Sequence, residues 1–157
     1  MFPVGKWKAE SRKISEETNA QVQEKYVEST IWSAAQNGDT EAINRYLEQG
    51  ADINATGGKM MSYPPLIRAA MNGHARAAQL LIEKGADVNA KAFDGMTALT
   101  FAVFFGQTET VKLLIDNDAD VNMKGLFGLN PIDYAKAEGV LGRFHVKAAN
   151  IFLSQAE

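Results

Sequence analysis

The sequence predicts an all-α solenoid, in which paired helices repeat along the chain and β-turn-like loops join the pairs. Two recurrences and one periodicity predict it. Gly50-Ala51-Asp52-Ile53-Asn54 returns as Gly85-Ala86-Asp87-Val88-Asn89 and as Asp118-Ala119-Asp120-Val121-Asn122, at offsets of 35 and 33 residues. Ala34-Ala35-Gln36-Asn37-Gly38 returns as Ala69-Ala70-Met71-Asn72-Gly73, then in degraded form as Ala102-Val103-Phe104-Phe105-Gly106 and Ala135-Lys136-Ala137-Glu138-Gly139, at 35, 33 and 33. Two independent ladders with one period describe a tandem array of a single supersecondary unit. Within a unit, Val111, Leu114 and Ile115 fall at helical spacing on one face.

Residues 1–28 precede the pattern. They hold five basic and five acidic residues. Ser15-Glu16-Glu17 followed by Val22, Tyr26 and Val27 reads as a helix whose acidic start suits the helix dipole. Such a helix serves as a cap on the first repeat, because the ends of an array need a polar outer face. Alternatively Phe2, Trp7 and Ile14 engage a partner or fold back onto the array.

The repeat domain spans residues 29–157, in units near 29–61, 62–94, 95–127 and 128–157. The third unit shows the logic of each. Thr97 supplies an oxygen that caps the first helix. Ala98 to Phe105 make about two turns, and Gly106 ends them. Gln107-Thr108-Glu109 opens the second helix, with Thr108 as the candidate cap. Ala69, Ala70 and Ala102 let neighbouring helices approach closely. The Gly that follows a second helix, Gly50 or Gly85, suits a left-handed backbone. In the third unit Asp118 stands there instead. Two extra residues lengthen the first inter-repeat loop, Ala55 to Tyr63. In the last unit Val140 to Phe144 look inserted, which places its second helix near 145–154.

The period, the Gly-Ala-Asp-Val-Asn turn and the helix pair resemble the ankyrin repeat. The resemblance covers about four-fifths of the chain. The family's Thr-Pro-Leu-His signature survives only in part, as Pro64-Pro65-Leu66-Ile67, Thr97-Ala98-Leu99-Thr100 and Asn130-Pro131-Ile132-Asp133, always without its His. His74 matches the Gly-His pair that follows the first helix in many units of that family, so its expected role is structural.

Composition narrows the function further. Hydrophobic residues make up 46% and charged residues 22%, ordinary values for a folded domain. Sixteen Lys and Arg against 19 Asp and Glu give a formal charge of −3, which disfavours a general nucleic-acid binder. The chain has no Cys, so disulfides, thiol catalysis and Cys-based zinc sites are impossible. With only His74 and His145, no Ser, His and acid trio assembles. No metal site and no cofactor is expected. No apolar run reaches the ~18 residues of a spanning helix. Nothing at the start reads as a signal peptide, so the expected location is cytoplasmic, or secreted or periplasmic if a signal has been removed.

Short motifs give way to structural readings. Gly57-Gly58-Lys59 lacks both the preceding Gly and the following Ser or Thr of a phosphate loop. Asp116-Asn117-Asp118-Ala119-Asp120 starts like a calcium loop, but Val121 and Phe127 stand where that loop needs Gly and Glu. Asn54-Ala55-Thr56 is formally a glycosylation acceptor, yet Asn54 is the repeat-turn Asn that recurs as Asn89 and Asn122.

The resemblance implies non-catalytic binding of a partner protein, through the loop tips and the exposed side of the first helices. Carried onto this sequence, that surface comprises Tyr63, Arg68, Met71 and Asn72 in the second unit. The third contributes Phe93, Asp94, Met96, Phe101, Phe104 and Phe105, and the fourth Leu126, Phe127, Leu129 and Tyr134. The first unit offers polar Ser33, Gln36 and Asn37, and Met60 and Met61 add an adaptable rim. Aromatic side chains dominate interface hot spots, which centres the expected surface on the third unit. Phe104 and Phe105 point about 100° apart on a helix, so they cannot face solvent equally. An aromatic patch of this kind could also support a homodimer. Two narrower functions stay open at this level: an inhibitor or immunity-type regulator of one enzyme, and an adaptor or secreted effector aimed at host proteins.

Overall fold

The computed structural model describes residues 31–56 and 63–136. The expected N-terminal helix, the Gly57-Gly58-Lys59 tip, Met60, Met61, His145 and the second helix of the last unit lie outside the described residues. Among the described residues seven α-helices follow in order: α1 (31–37), α2 (Thr40–Glu48), α3 (Pro65–Met71), α4 (Ala75–Glu83), α5 (Ala98–Phe104), α6 (Thr108–Asp116) and α7 (Pro131–Lys136). A 3-10 turn, Leu126–Gly128, precedes α7. No strand occurs among the described residues, only an isolated antiparallel bridge between Lys91 and Thr97.

The helices form two rows. The first helices α3, α5 and α7 pack side by side, and the second helices α2, α4 and α6 make the other row. Close packing within the rows follows from small side chains: Ala69, Ala70, Ala77, Ala78 and Ala102 are completely buried. Ile43, Leu66, Ile67, Leu81, Leu99, Val103, Val111 and Leu114 fill the space between the rows and have essentially no exposed surface. Each such side chain contributes roughly 1.5–3 kcal/mol through burial. A single unit has nothing to bury against, so this core exists only because neighbours stack.

Two hydrogen-bond ladders set the spacing of the units. Within each turn the Asp carboxylate accepts from the Asn backbone two residues on, for Asp52–Asn54, Asp87–Asn89 and Asp120–Asn122. Each Asn side chain then reaches the next unit. Asn54 Oδ1 accepts from the Asp87 N–H at 2.9 Å, and Asn89 Oδ1 from the Asp120 N–H at 2.8 Å. That is the physical reason the Asp-x-Asn pattern recurs.

The second ladder runs from the turn between the helices of one unit to the first helix of the preceding unit. His74 Nε2 donates to the Gln36 carbonyl at 2.9 Å, which sets the tautomer with the proton on Nε2. One unit later Gln107 Nε2 donates to the Met71 carbonyl at 3.1 Å. Gly38 and Gly73 make room for these side chains. Both have positive φ, and a Cβ on either would collide with His74 or Gln107 respectively. His74 is thus structural, as its place in the repeat implies.

Capping differs from expectation at one point. Thr97 caps α5 as predicted, its side chain accepting from the Thr100 N–H. Thr108, however, is the first residue of α6, and Gln107 is the cap residue. Gln107 makes no capping bond because its amide is committed to the preceding unit. At the other helix ends, Gly50 and Gly85 take φ of 90° and 97°, and Asp118 takes φ 63° in the same role.

Candidate functional site

Two short fingers project where the units join. In the first, Ala92 N–H bonds the Met96 carbonyl and Gly95 N–H bonds the Ala92 carbonyl, both at 2.9 Å. In the second, 33 residues on, Gly125 N–H bonds the Leu129 carbonyl and Gly128 N–H bonds the Gly125 carbonyl, both at 3.0 Å. The fingers touch, for a Cβ built on Gly95 would lie 3.5 Å from Gly125 Cα. Their tips carry the aromatic and aliphatic residues expected there. Phe93 is 69% exposed and Phe127 85%, with Leu126 and Leu129 also exposed.

Below the fingers, rings connect three units without a break. Phe93 lies 5.7 Å from Tyr63, centroid to centroid, and Tyr63 meets Phe101 edge-on at 5.2 Å. Phe101 stacks on Phe105 at 6.5 Å, and Phe105 meets Phe104 edge-on at 5.1 Å. Phe104 in turn meets Tyr134 at 5.9 Å. Edge-on and offset contacts of this kind are the favourable ones for aromatic quadrupoles. The Tyr134 hydroxyl donates to the Leu126 carbonyl at 3.2 Å, tying the fourth unit's helix to its finger.

Not every residue of the expected surface is on it. Met96 and Phe101 are only 5% and 6% exposed and belong to the core. Met96 turns inward because its N–H and C=O close the finger, which packs its side chain against Gly125. Phe101 lies one helical turn before Phe105 and on the same side, so Phe105 and Tyr63 cover it. Phe104 is half-buried and Phe105 is 45% exposed, the inequality that their spacing requires. Arg68 and Met71 belong to α3, and Asn72 is its C-terminal cap residue. Arg68 Nη1 donates to Gln36 Oε1 at 2.9 Å, and Asn72 Nδ2 donates to the Arg68 carbonyl at the end of α3. Ser33, Gln36 and Asn37 are exposed and polar.

Two properties of the surface escape inspection of residue types. One is the backbone of Phe127, which sits at φ 60°, ψ 17°, inside the left-handed region. A bulky side chain there costs on the order of 1–3 kcal/mol. The 33-residue register held no signal of it, since Asp94, the counterpart of Phe127, does not have a positive φ and only Gly95, the counterpart of Gly128, does. The other is charge. Burial pushes the Tyr63 phenol above its ordinary value, the Asp94 carboxylate adds to that rise, and Arg68 opposes it. Tyr134 rises through burial and again through Asp94. Burial lowers Arg68, and Tyr63 opposes that shift.

Elsewhere, a groove of about 460 Å³ runs between α4 and α6. Leu80 and Leu113 line it along with residues of both charges, Arg76, Lys112, Glu83, Glu109 and Asp116. Among the described residues no cluster of three His, Asp or Glu is placed to hold a metal. No described helix is long and apolar enough to cross a membrane. The aromatic surface offers contact area and the Asp94 carboxylate.

A family model described as ankyrin repeats (3 copies) matches residues 31–125. No curated protein matches the chain.

Proposed function

Because the chain belongs to the ankyrin-repeat family, whose repeats are generally protein–protein interaction modules, we propose that it is a non-catalytic binding protein. Its partner protein docks on the fingers and first helices of the second to fourth units. The observation that carries this reading is the aromatic chain from Phe93 to Tyr134, capped by exposed Phe93, Phe105 and Phe127. A folded monomer gains nothing from exposing these side chains, whereas contiguous apolar patches mark interaction sites. Large flat rings also bury much area at little entropic cost, which suits them as anchors. The left-handed Phe127 supports the same reading, because strain of this kind concentrates at functional positions.

The test uses substitutions confined to the exposed rings. A Phe93→Ser, Phe105→Ser double variant keeps Phe101 and the core in place, so its helical circular dichroism should match wild type. Both proteins are used to capture binders from a lysate of the source cells. Proteins held by wild type and lost by the variant support the assigned surface. Equal capture by both would overturn it. Light scattering on the same two proteins separates a second copy of this chain from a foreign partner.

A further inference from the structure

Asp94 stands within the aromatic surface, and the fingers hold it there. Its neighbour Phe93 packs on Tyr63, and its other neighbour Gly95 packs on the second finger. That finger's Leu126 carbonyl receives the Tyr134 hydroxyl. The carboxylate therefore sits beside the Phe93–Tyr63 ring pair, and its field reaches the Tyr63 and Tyr134 phenols. One carboxylate oxygen accepts the Met96 N–H at 3.0 Å, which fixes the group's orientation. The other accepts no hydrogen bond from the described residues.

A negative charge set among ring faces, themselves negative at their centres, favours a cation. Planar guanidinium fits better than ammonium, because it stacks on a ring and still offers N–H groups to a carboxylate. We propose that this surface takes an arginine side chain of the partner protein, stacked on Phe93 and Tyr63 and paired with the open oxygen of Asp94. Leu126 and Phe127 supply apolar walls for the residues that flank it. The inference rests on the protein-binding reading above and specifies the chemistry of the partner.

Random short peptides displayed on phage and selected on the wild-type protein test it. Asp94→Asn is the diagnostic variant, since the Asn side-chain oxygen still accepts the Met96 N–H and preserves the finger. The expected result is enrichment of arginine at one peptide position beside apolar residues. Synthetic copies of the selected peptides should bind Asp94→Asn about fivefold more weakly, the size of a partly exposed cation contact. Peptides without cationic enrichment, peptides that bind Asp94→Asn equally well, or a failure to select any peptide would overturn the inference. Lysine enriched as strongly as arginine would overturn the guanidinium preference. Peptides that lose affinity for Phe93→Ser, Phe105→Ser but not for Asp94→Asn leave the surface standing and remove only the cation. Peptides indifferent to both variants remove the surface itself.

Discussion

Asp118 adopts the left-handed backbone that Gly50 and Gly85 adopt at the matching helix ends, and it does so with a Cβ attached. L-residues are disfavoured there by contact between Cβ and the carbonyl oxygen. A Cβ at Gly50 or Gly85 meets nothing within 4 Å, so at those helix ends the cost of a side chain is this local one and not a clash with a neighbour. Asp118→Gly should stabilise the protein by about 0.5–1 kcal/mol, read as a higher midpoint in urea. An unchanged midpoint would contradict the assignment. Thr110 is a second misfit at this scale. It is fully buried in α6, and its hydroxyl has no hydrogen-bond partner. The matching residue of α4 is Ala77, which is also completely buried. Thr110→Val keeps the shape and removes the stranded hydroxyl, so it should stabilise by about 1 kcal/mol. A loss of stability in the same urea melt would show that the hydroxyl is satisfied in solution.

The two fingers are built alike and stressed differently. Asp94 accepts from the backbone two residues on, whereas Phe127 at the same register has no such bond to offer and takes a left-handed backbone. Its ring is 85% exposed, so no buried contact offsets the strain. Phe127→Gly should therefore stabilise the fold by roughly 0.5–1 kcal/mol. It should also weaken partner capture, because it removes the most exposed ring of the surface. Thermal melts and capture of the partner from lysate measure the two effects on one variant. A variant that melts lower, or that captures its partner as well as wild type, would show that this finger is not held under strain for binding. The helices are free of that conflict. Thr97 closes α5, and Asn130 and Asp133 cap each other at α7 through bonds of 2.9 and 3.0 Å.

Across the whole molecule, stability and recognition share one chain of rings yet divide at Phe101. Phe101 joins the cores of neighbouring units, while Phe93 and Phe105 on either side of it reach solvent. Phe101→Ser should cost about 3–5 kcal/mol, as emptying a buried aromatic site does. The array has no second core to compensate, since each unit is stable only through its neighbours. Chemical denaturation of Phe101→Ser should thus show a marked loss of stability, with Phe93→Ser, Phe105→Ser close to wild type. Similar midpoints for the two variants would mean that the ring chain is not integrated into the core.

The repeat period, the helix pairs, the Asp-x-Asn turns and the Thr97 cap were legible in the sequence. They depend on contacts only a few residues apart, or on spacing that survives in every unit. Asp118 was legible for the same reason, because its matching glycines stand in the same register. Local pattern could not say which face of α5 each Phe presents, since that depends on whether Tyr63 and the second finger cover it. Nor could residue type reveal that Gln107 gives up its cap to hold Met71, or that the charge of Asp94 reaches both Tyr63 and Tyr134. By itself the sequence determined the unit and its repetition, because backbone preference and helical period are local. Only the tertiary structure decided which side chains the stacked units bury and which they leave for a partner, because burial is a property of neighbours.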